Sequence, residues 1–303
     1  MFPGLWSEEV VSQVAKQSMT GSTLNDMGEA ARSGLSDLPT LPYATVRSDD
    51  QLASEIDHRL LGRVGSRRLI TNPLTLGLSG VLHIREECLS PRSDACHLMY
   101  ISDIHLRRSR SDTLCRQILE AAHSVPVDAL ILGGDLVDGP TELSKLRDLV
   151  SALREVAPVY AVGGNHDQAV GLDRVSEAVV EGGGAWIHAS SARVSHGSRV
   201  IALSGPEAVG VPNGDVQVLC AHNPRIWKTA QRRGYDLVLA GHLHGCQIVA
   251  FEYRDRLFPG AIFYPYCYLS HQSESTRLVV SRGVSDLVPI RWRCPREVVL
   301  CYV

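Results

Sequence analysis

Five short apolar runs punctuate the middle of the chain: HLMYIS (97–102), DALILG (128–133), PVYAVG (158–163), VQVLCA (216–221) and YDLVLAG (235–241). Each is nearly continuous rather than alternating, as expected of strands covered on both faces. Between them lie stretches whose apolar residues recur every three or four positions, the period of a helix with one buried stripe. The clearest covers 141–156, with Thr141 as its expected cap and Leu143, Leu146, Leu149, Val150 and Leu153 on one face. Further helices are predicted over 112–123, 171–181 and 223–233. Strands alternating with helices predict an α/β core. After residue 246 the pattern turns to strands and loops, ending in RLVVSRG and REVVLCYV.

The first 80 residues read differently. A short helix is predicted over 7–17 with Ser7 as cap, then a Ser-, Gly- and Pro-containing linker over 18–50, then a helix over 51–63 with Leu52, Ile56, Leu60 and Leu61 on one side. The expected organisation is an N-terminal extension, 1–80, partly helical and partly disordered, followed by a domain over 81–303. Net charge is −3, so nothing draws the whole chain toward nucleic acid. The start MFPGLWSEEVVSQ lacks a basic stretch followed by an apolar one, and no apolar run reaches the length of a membrane span. The eight cysteines include no C-x-x-C pair. Free thiols in a reducing cytoplasm are the expectation.

Each apolar run ends in polar residues of one chemical kind. The first gives Asp103 and His105, the second Asp135 and Asp138, the third Asn165, His166 and Asp167, the fourth His222, and the fifth His242 and His244. Ligands of α/β sheets bind beyond the carboxyl ends of strands, so five such ends can share one site. Residues i and i+2 of an extended chain point the same way, which would aim Asp103 with His105, and His242 with His244, at one place. Gly133, Gly134, Gly163, Gly164 and Gly241 flank these positions and would supply unusual backbone angles or close approach. Carboxylates, imidazoles and one amide, with no thiolate, suit Mn, Fe, Zn or Co. The donors are too many for one tetrahedral ion and predict a centre of two divalent ions.

The order D-x-H, GDxxD, GNHD, H, GHxH over 97–247 resembles the calcineurin-like metallophosphoesterases. The closing VSRGVSDLVPIRWRCPREV (280–298) further resembles the branch of bacterial membrane-associated phosphoesterases and UDP-2,3-diacylglucosamine diphosphatases. The resemblance implies a four-layer αββα sandwich of two mixed sheets flanked by helices. It implies that Asp103, His105 and His244 hold one metal, that Asn165, His222 and His242 hold a second, and that Asp135 bridges them. His166 would then be the catalytic proton donor or transition-state stabiliser, oriented by Asp138. Gly139 and Asp167 stand where phosphoprotein phosphatases carry Arg and Glu, which argues against protein substrates. Cys246 replaces a usual glycine, and its expected role is that of a small residue packed beneath the site.

The expected function is hydrolysis of a phosphate ester or pyrophosphate, on a phosphorylated small molecule or a lipid-linked phosphate of the UDP-diacylglucosamine type. Seven of the thirteen Phe and Tyr residues fall within 251–268, directly after GHLHG. Aromatics favour strands, so a strand pair packing a sheet face is one reading of this stretch, but PGAIFYPYCYL, interrupted by Pro259, Gly260 and Pro265, reads better as a loop beside the site. Such a loop suits an apolar substrate and weak peripheral contact with the inner membrane face. The alternatives are a soluble phosphodiesterase of a cyclic nucleotide or other small diester, and a non-catalytic metal-binding regulator. A nucleic-acid substrate is not expected, because the aromatics lack interleaved basic residues.

Overall fold

The computed structural model describes residues 74–79, 81–89, 95–108, 110–273 and 275–303. The helices expected over 7–17 and 51–63 and the linker between them lie outside these residues.

The five apolar runs become strands, His97–Ile101, Ala129–Gly133, Val159–Val162, Val216–Cys220 and Leu237–Ala240. They are shared between two six-stranded sheets. The first runs in the order His83–Cys88, Glu297–Tyr302, His97–Ile101, Ala129–Gly133, Val159–Val162, Ala185–Trp186. It is parallel except where Glu297–Tyr302 meets His97–Ile101 antiparallel, with Val299 opposite Tyr100. The second runs Ser270–Ser273, Thr276–Val280, Leu237–Ala240, Val216–Cys220, Arg199–Ser204, Ser191–His196, parallel at its centre and antiparallel at both edges.

Side-chain alternation divides each strand between two cores. Leu98, Tyr100 and Ile131 meet Leu203, Val218, Leu237 and Leu239 between the sheets. Their neighbours Met99, Ile101, Leu130 and Leu132 face outward, against Leu114 and Ile118 of Ser111–His123 and Leu146, Leu149, Val150 and Leu153 of Leu143–Arg154. On the far side, Leu219, Val238 and Leu278 pack beneath Trp227 and Ala230 of Trp227–Arg233. The result is the four-layer sandwich of helices, sheet, sheet and helix that the sequence predicts.

Three local expectations are corrected. The helix predicted from Thr141 begins at Leu143, because Pro140–Glu142 forms a tighter 3-10 turn and places Glu142 at the cap position. Likewise 223–233 splits into a turn, Pro224–Ile226, capped by Asn223 Oδ1 accepting from Arg225 N at 3.0 Å, and the helix Trp227–Arg233. The stretch read as a loop, 259–269, contains a one-turn helix, Gly260–Phe263, and follows a hairpin of Val249–Tyr253 with Arg256–Pro259. Arg254 and Asp255, both at positive φ, make its tip, and Phe251 stacks on Phe258 at 4.9 Å across it. Leu74–Leu76 pairs with Ile290–Trp292, so the folded body includes residues before 81.

One buried ion cluster ties the first sheet to the segment after Thr276–Val280. Glu297, fully buried, accepts from Arg85 Nε at 3.0 Å, from Arg282 Nε at 2.7 Å and from Arg282 N at 3.0 Å. Burial alone would raise the Glu297 carboxyl, but the guanidiniums of Arg282 and Arg85 outweigh it and hold the group at about 2. Removing the charge leaves buried Arg282 without its carboxylate, while Arg85 keeps Glu87, and breaking such a buried pair costs about 3–5 kcal/mol. Glu297→Gln is therefore expected to lower Tm at pH 7 by about 6–20 °C. Because the folded value lies below the ordinary 4.5, the carboxylate's contribution is complete above pH 4.5 and is lost as pH falls toward 2. The gap between wild type and variant should close over that window in thermal melts; a gap that is constant with pH would refute the assignment.

Candidate metal centre

The strand ends of both sheets converge. Beyond Ile101 the chain runs beside the loop after Gly133, with Asp103 N donating to Gly134 O at 3.0 Å and His105 N to Asp135 O at 2.8 Å. From the second sheet, His242 N donates to Asp103 Oδ1 at 3.0 Å, which fastens the two sheets to one another at the site. The residues do not converge by strand alternation, as the sequence reading assumed. Asp103, His105, Asp135, His242 and His244 all have positive φ, between 45 and 74°. Strain of this kind costs about 1–3 kcal/mol per residue and persists where the surroundings over-determine it.

Of the five flanking glycines only Gly134 has positive φ, at 86°. The ligand-type residues themselves carry the unusual angles. Gly164 and Gly241 serve close approach instead: a Cβ on Gly164 would overlap Asp135 Oδ1, and one on Gly241 would lie 2.5 Å from Asp103 Oδ2.

Six of the seven predicted metal ligands, together with His166, fall into overlapping groups within each of which the ligating atoms lie within 4.8 Å of one another: Asp103, His105 and His244; Asp135, His222 and His242; and His105, Asp135 and His166. Asn165 is exposed at the first position of the short helix Asn165–Val170. Next to it, His166 N donates to Asp135 Oδ1 at 2.8 Å.

The imidazoles are oriented from behind. His105 Nδ1 meets Asp138 Oδ1 at 2.6 Å, His244 Nδ1 meets Ser285 O at 3.1 Å, and His222 Nδ1 meets Gly133 O at 3.0 Å. With the proton on Nδ1, each Nε2 turns a lone pair inward, the usual arrangement of a ligating histidine. The Nε2 atoms of His105 and His244 then face each other at 3.3 Å. Two lone pairs at that distance repel unless a cation lies between them, so the donor set fits divalent metal.

Electrostatics agree. Burial lowers His244 to about 3, which leaves it neutral and able to donate its lone pair. Burial would also lower His222, but the bond and charge of Asp135, 3.0 Å away, outweigh it and raise it to about 9. The site thus attracts positive charge, and a metal can take the place of that proton. Burial pushes Asp103 and Asp135 upward, yet neighbouring histidines hold both below the usual carboxylate range.

Asp138 does more than orient His166. It reaches His166 Nδ1 at 2.9 Å, holds His105 and accepts from Arg107 Nε. Burial opposes its ionisation, but His105 and His166 outweigh it and keep the carboxyl well below its ordinary value. In return Asp138 raises His166, whose side chain is 37% exposed.

Two further residues brace the site. Asp167 accepts from Leu136 N, Val137 N and Gly164 N at 2.9–3.1 Å and so braces the second strand-end loop against the third; burial pushes its carboxyl up to about 6. Arg291, fully buried, donates to Ser285 O at 2.6 Å and Arg282 O at 2.9 Å, and it reaches His244 O at 3.5 Å. The closing arginine-rich stretch was the one sequence signal for it.

This donor set at the carboxyl ends of two stacked sheets defines a metal-dependent phosphoesterase. The chain belongs to the calcineurin-like phosphoesterase superfamily, whose domain profile matches residues 97–280, more than half of its length. It is a metal-dependent hydrolase of phosphoester bonds. Phosphodiesterase YaeI of Escherichia coli (strain K12) is 26% identical over 218 residues, covering 67% of this chain and 80% of its own length. YpbG of Bacillus subtilis (strain 168) is 27% identical over 165 residues, covering 50% of this chain and 62% of its own length. Among solved structures, the phosphopantetheinyl hydrolase PptH of Mycobacterium tuberculosis covers 65% of this chain and 92% of its own, with 15% identity and a TM-score of 0.39. Among the described residues, no helix is long and apolar enough to cross a membrane.

Proposed function

We propose that the protein hydrolyses a phosphate ester or pyrophosphate carrying an apolar portion, of the lipid-linked UDP-diacylglucosamine type, at a centre of two divalent ions. Asp103, His105 and His244 would hold one ion, Asn165, His222 and His242 the other, and Asp135, lying between the two groups, both. Ions so held supply positive charge to the phosphoryl oxygens and favour attack by water. His166, its Nδ1 engaged by Asp138, keeps Nε2 for the leaving group, and the raised affinity for its proton makes it an acid.

The observation that carries the substrate class is the apolar surface that follows His244. Phe251, Tyr253, Ile262 and Phe263 are 55, 57, 70 and 63% exposed. Tyr264, by contrast, packs against the cluster of Leu243, Leu257 and Leu269, so it differs from its neighbour Phe263. Contact with acyl chains would bury the exposed four, each large side chain contributing about 1.5–3 kcal/mol when covered. This same surface supports weak, reversible contact with a membrane.

The test compares a lipid-bearing nucleotide pyrophosphate with a small soluble diester, with Mn²⁺ supplied. Replacing Ile262 and Phe263 by Ser is expected to raise KM for the former about tenfold or more and to spare the latter. Equal effects on both would favour the second reading, a soluble phosphodiesterase of small diesters, which the name of the Escherichia coli relative supports.

A further inference from the structure

All eight cysteines are free, and all fall among the described residues. Cys246 and Cys267 have their sulfurs 3.3 Å apart. Cys246 is half-buried and Cys267 is 1% exposed, so the first residue is the more accessible of the two. The contact is built rather than incidental. A Cβ on Gly260 would overlap Cys246 Sγ and lie 3.0 Å from Cys267 Sγ, so the absence of a side chain there lets the two meet. Cys246 itself sits at φ 58°, within a run of positive φ from His244 to Gln247. Gln247 pins that run by donating to Val288 O and Ile290 O at 2.6 and 2.9 Å and accepting from Leu287 N and Val288 N at 3.1 and 3.0 Å.

We propose that Cys246 and Cys267 are a redox-reactive pair that closes to an intrachain disulfide under a small peroxide. The bond would form about 1.3 Å inside the present separation, an S–S length being about 2.05 Å. The Cys246 sulfur attacks one peroxide oxygen, and the O–O bond breaks. The departing hydroxide takes up the thiol proton as water, leaving a sulfenic acid. The Cys267 sulfur then attacks Cys246 Sγ, and the S–O bond breaks. A second water leaves with the remaining thiol proton. One peroxide is reduced to two waters, and two thiols are oxidised to one disulfide.

The segment thereby closed holds the aromatic hairpin and the one-turn helix. Its base is fastened two residues from His244. The bond would staple that lobe to the loop bearing two of the metal-type histidines.

The test needs no turnover, so its failure is distinct from failure of the phosphoesterase reading. Folded, reduced protein is treated with about one equivalent of hydrogen peroxide, alkylated and digested. The expected result is a mass lower by about 2 Da before alkylation, loss of two reactive thiols, and a peptide linking Cys246 to Cys267 that a reductant releases. Cys267→Ala should leave a sulfenic acid on Cys246, trapped by dimedone, and Cys246→Ala should leave Cys267 unmodified. Wild-type protein that keeps all its thiols under this treatment, or a linkage through any other cysteine, overturns the proposal.

Discussion

Asp135→Asn is expected to empty both halves of the proposed two-metal centre, not one. Its Oδ2 lies 3.0 Å from His222 Nε2 and 3.7 Å from His105 Nε2, so one carboxylate faces both donor groups. Its Oδ1 is already committed to the His166 amide. The amide of Asn matches the shape but removes the charge. It would also set either an N–H₂ or a weaker acceptor toward two imidazole lone pairs. Occupancy at metal concentrations that saturate the wild type should fall below about one tenth at both positions, since even outer contacts to ligands are worth 10–100-fold in affinity. Elemental analysis after reconstitution, with circular dichroism to confirm folding, measures it. Retention of one full equivalent would show that Asp135 serves a single ion.

His166→Ala is expected to cut kcat by about 10²–10⁴-fold, the usual worth of a positioned acid–base group, while leaving metal content near normal. His105, Asp135 and His166 also fall within reach of a single ion, so the metal measurement decides between acid and ligand. Loss of an equivalent in this variant would make His166 a ligand. Asp138→Asn should then not be a milder copy of His166→Ala. Asp138 holds His105 Nδ1 at 2.6 Å as well as His166, so its replacement should weaken metal binding too. The two variants separate cleanly: one loses turnover alone, the other both.

The layers and the site were legible to different degrees. Near-continuous apolar runs told that the strands are covered on both faces, because burial on two sides leaves no polar alternation to find. The donors were legible because each stands directly after such a run. Their means of convergence was not. Sequence suggested extended chain at Asp103–His105 and His242–His244, whereas the backbone there is left-handed. Nothing local favours that conformation in Asp or His strongly enough to be read; the hydrogen bonds from neighbouring loops impose it. Arg291 and Ser285 were hidden for a related reason. They act through backbone carbonyls and a long side chain threaded under His244, contacts that only the closed fold creates. The strand pair at 249–259 was one of two readings the aromatic stretch allowed: aromatics favour strands while Pro and Gly argue against them, and Pro259 stands at the very end of one.

The placement of Glu297–Tyr302 between His83–Cys88 and His97–Ile101 has a kinetic consequence. Its partners lie about 200 residues earlier, and contacts of such separation form slowly because a very long loop must be closed first. Until then His97–Ile101, the strand that delivers Asp103, has an open edge with unpaired amides. An open edge of this kind is a template for pairing with other molecules. Correct assembly depends on how soon that gap is filled, and the strand that fills it also carries Glu297 to its arginines.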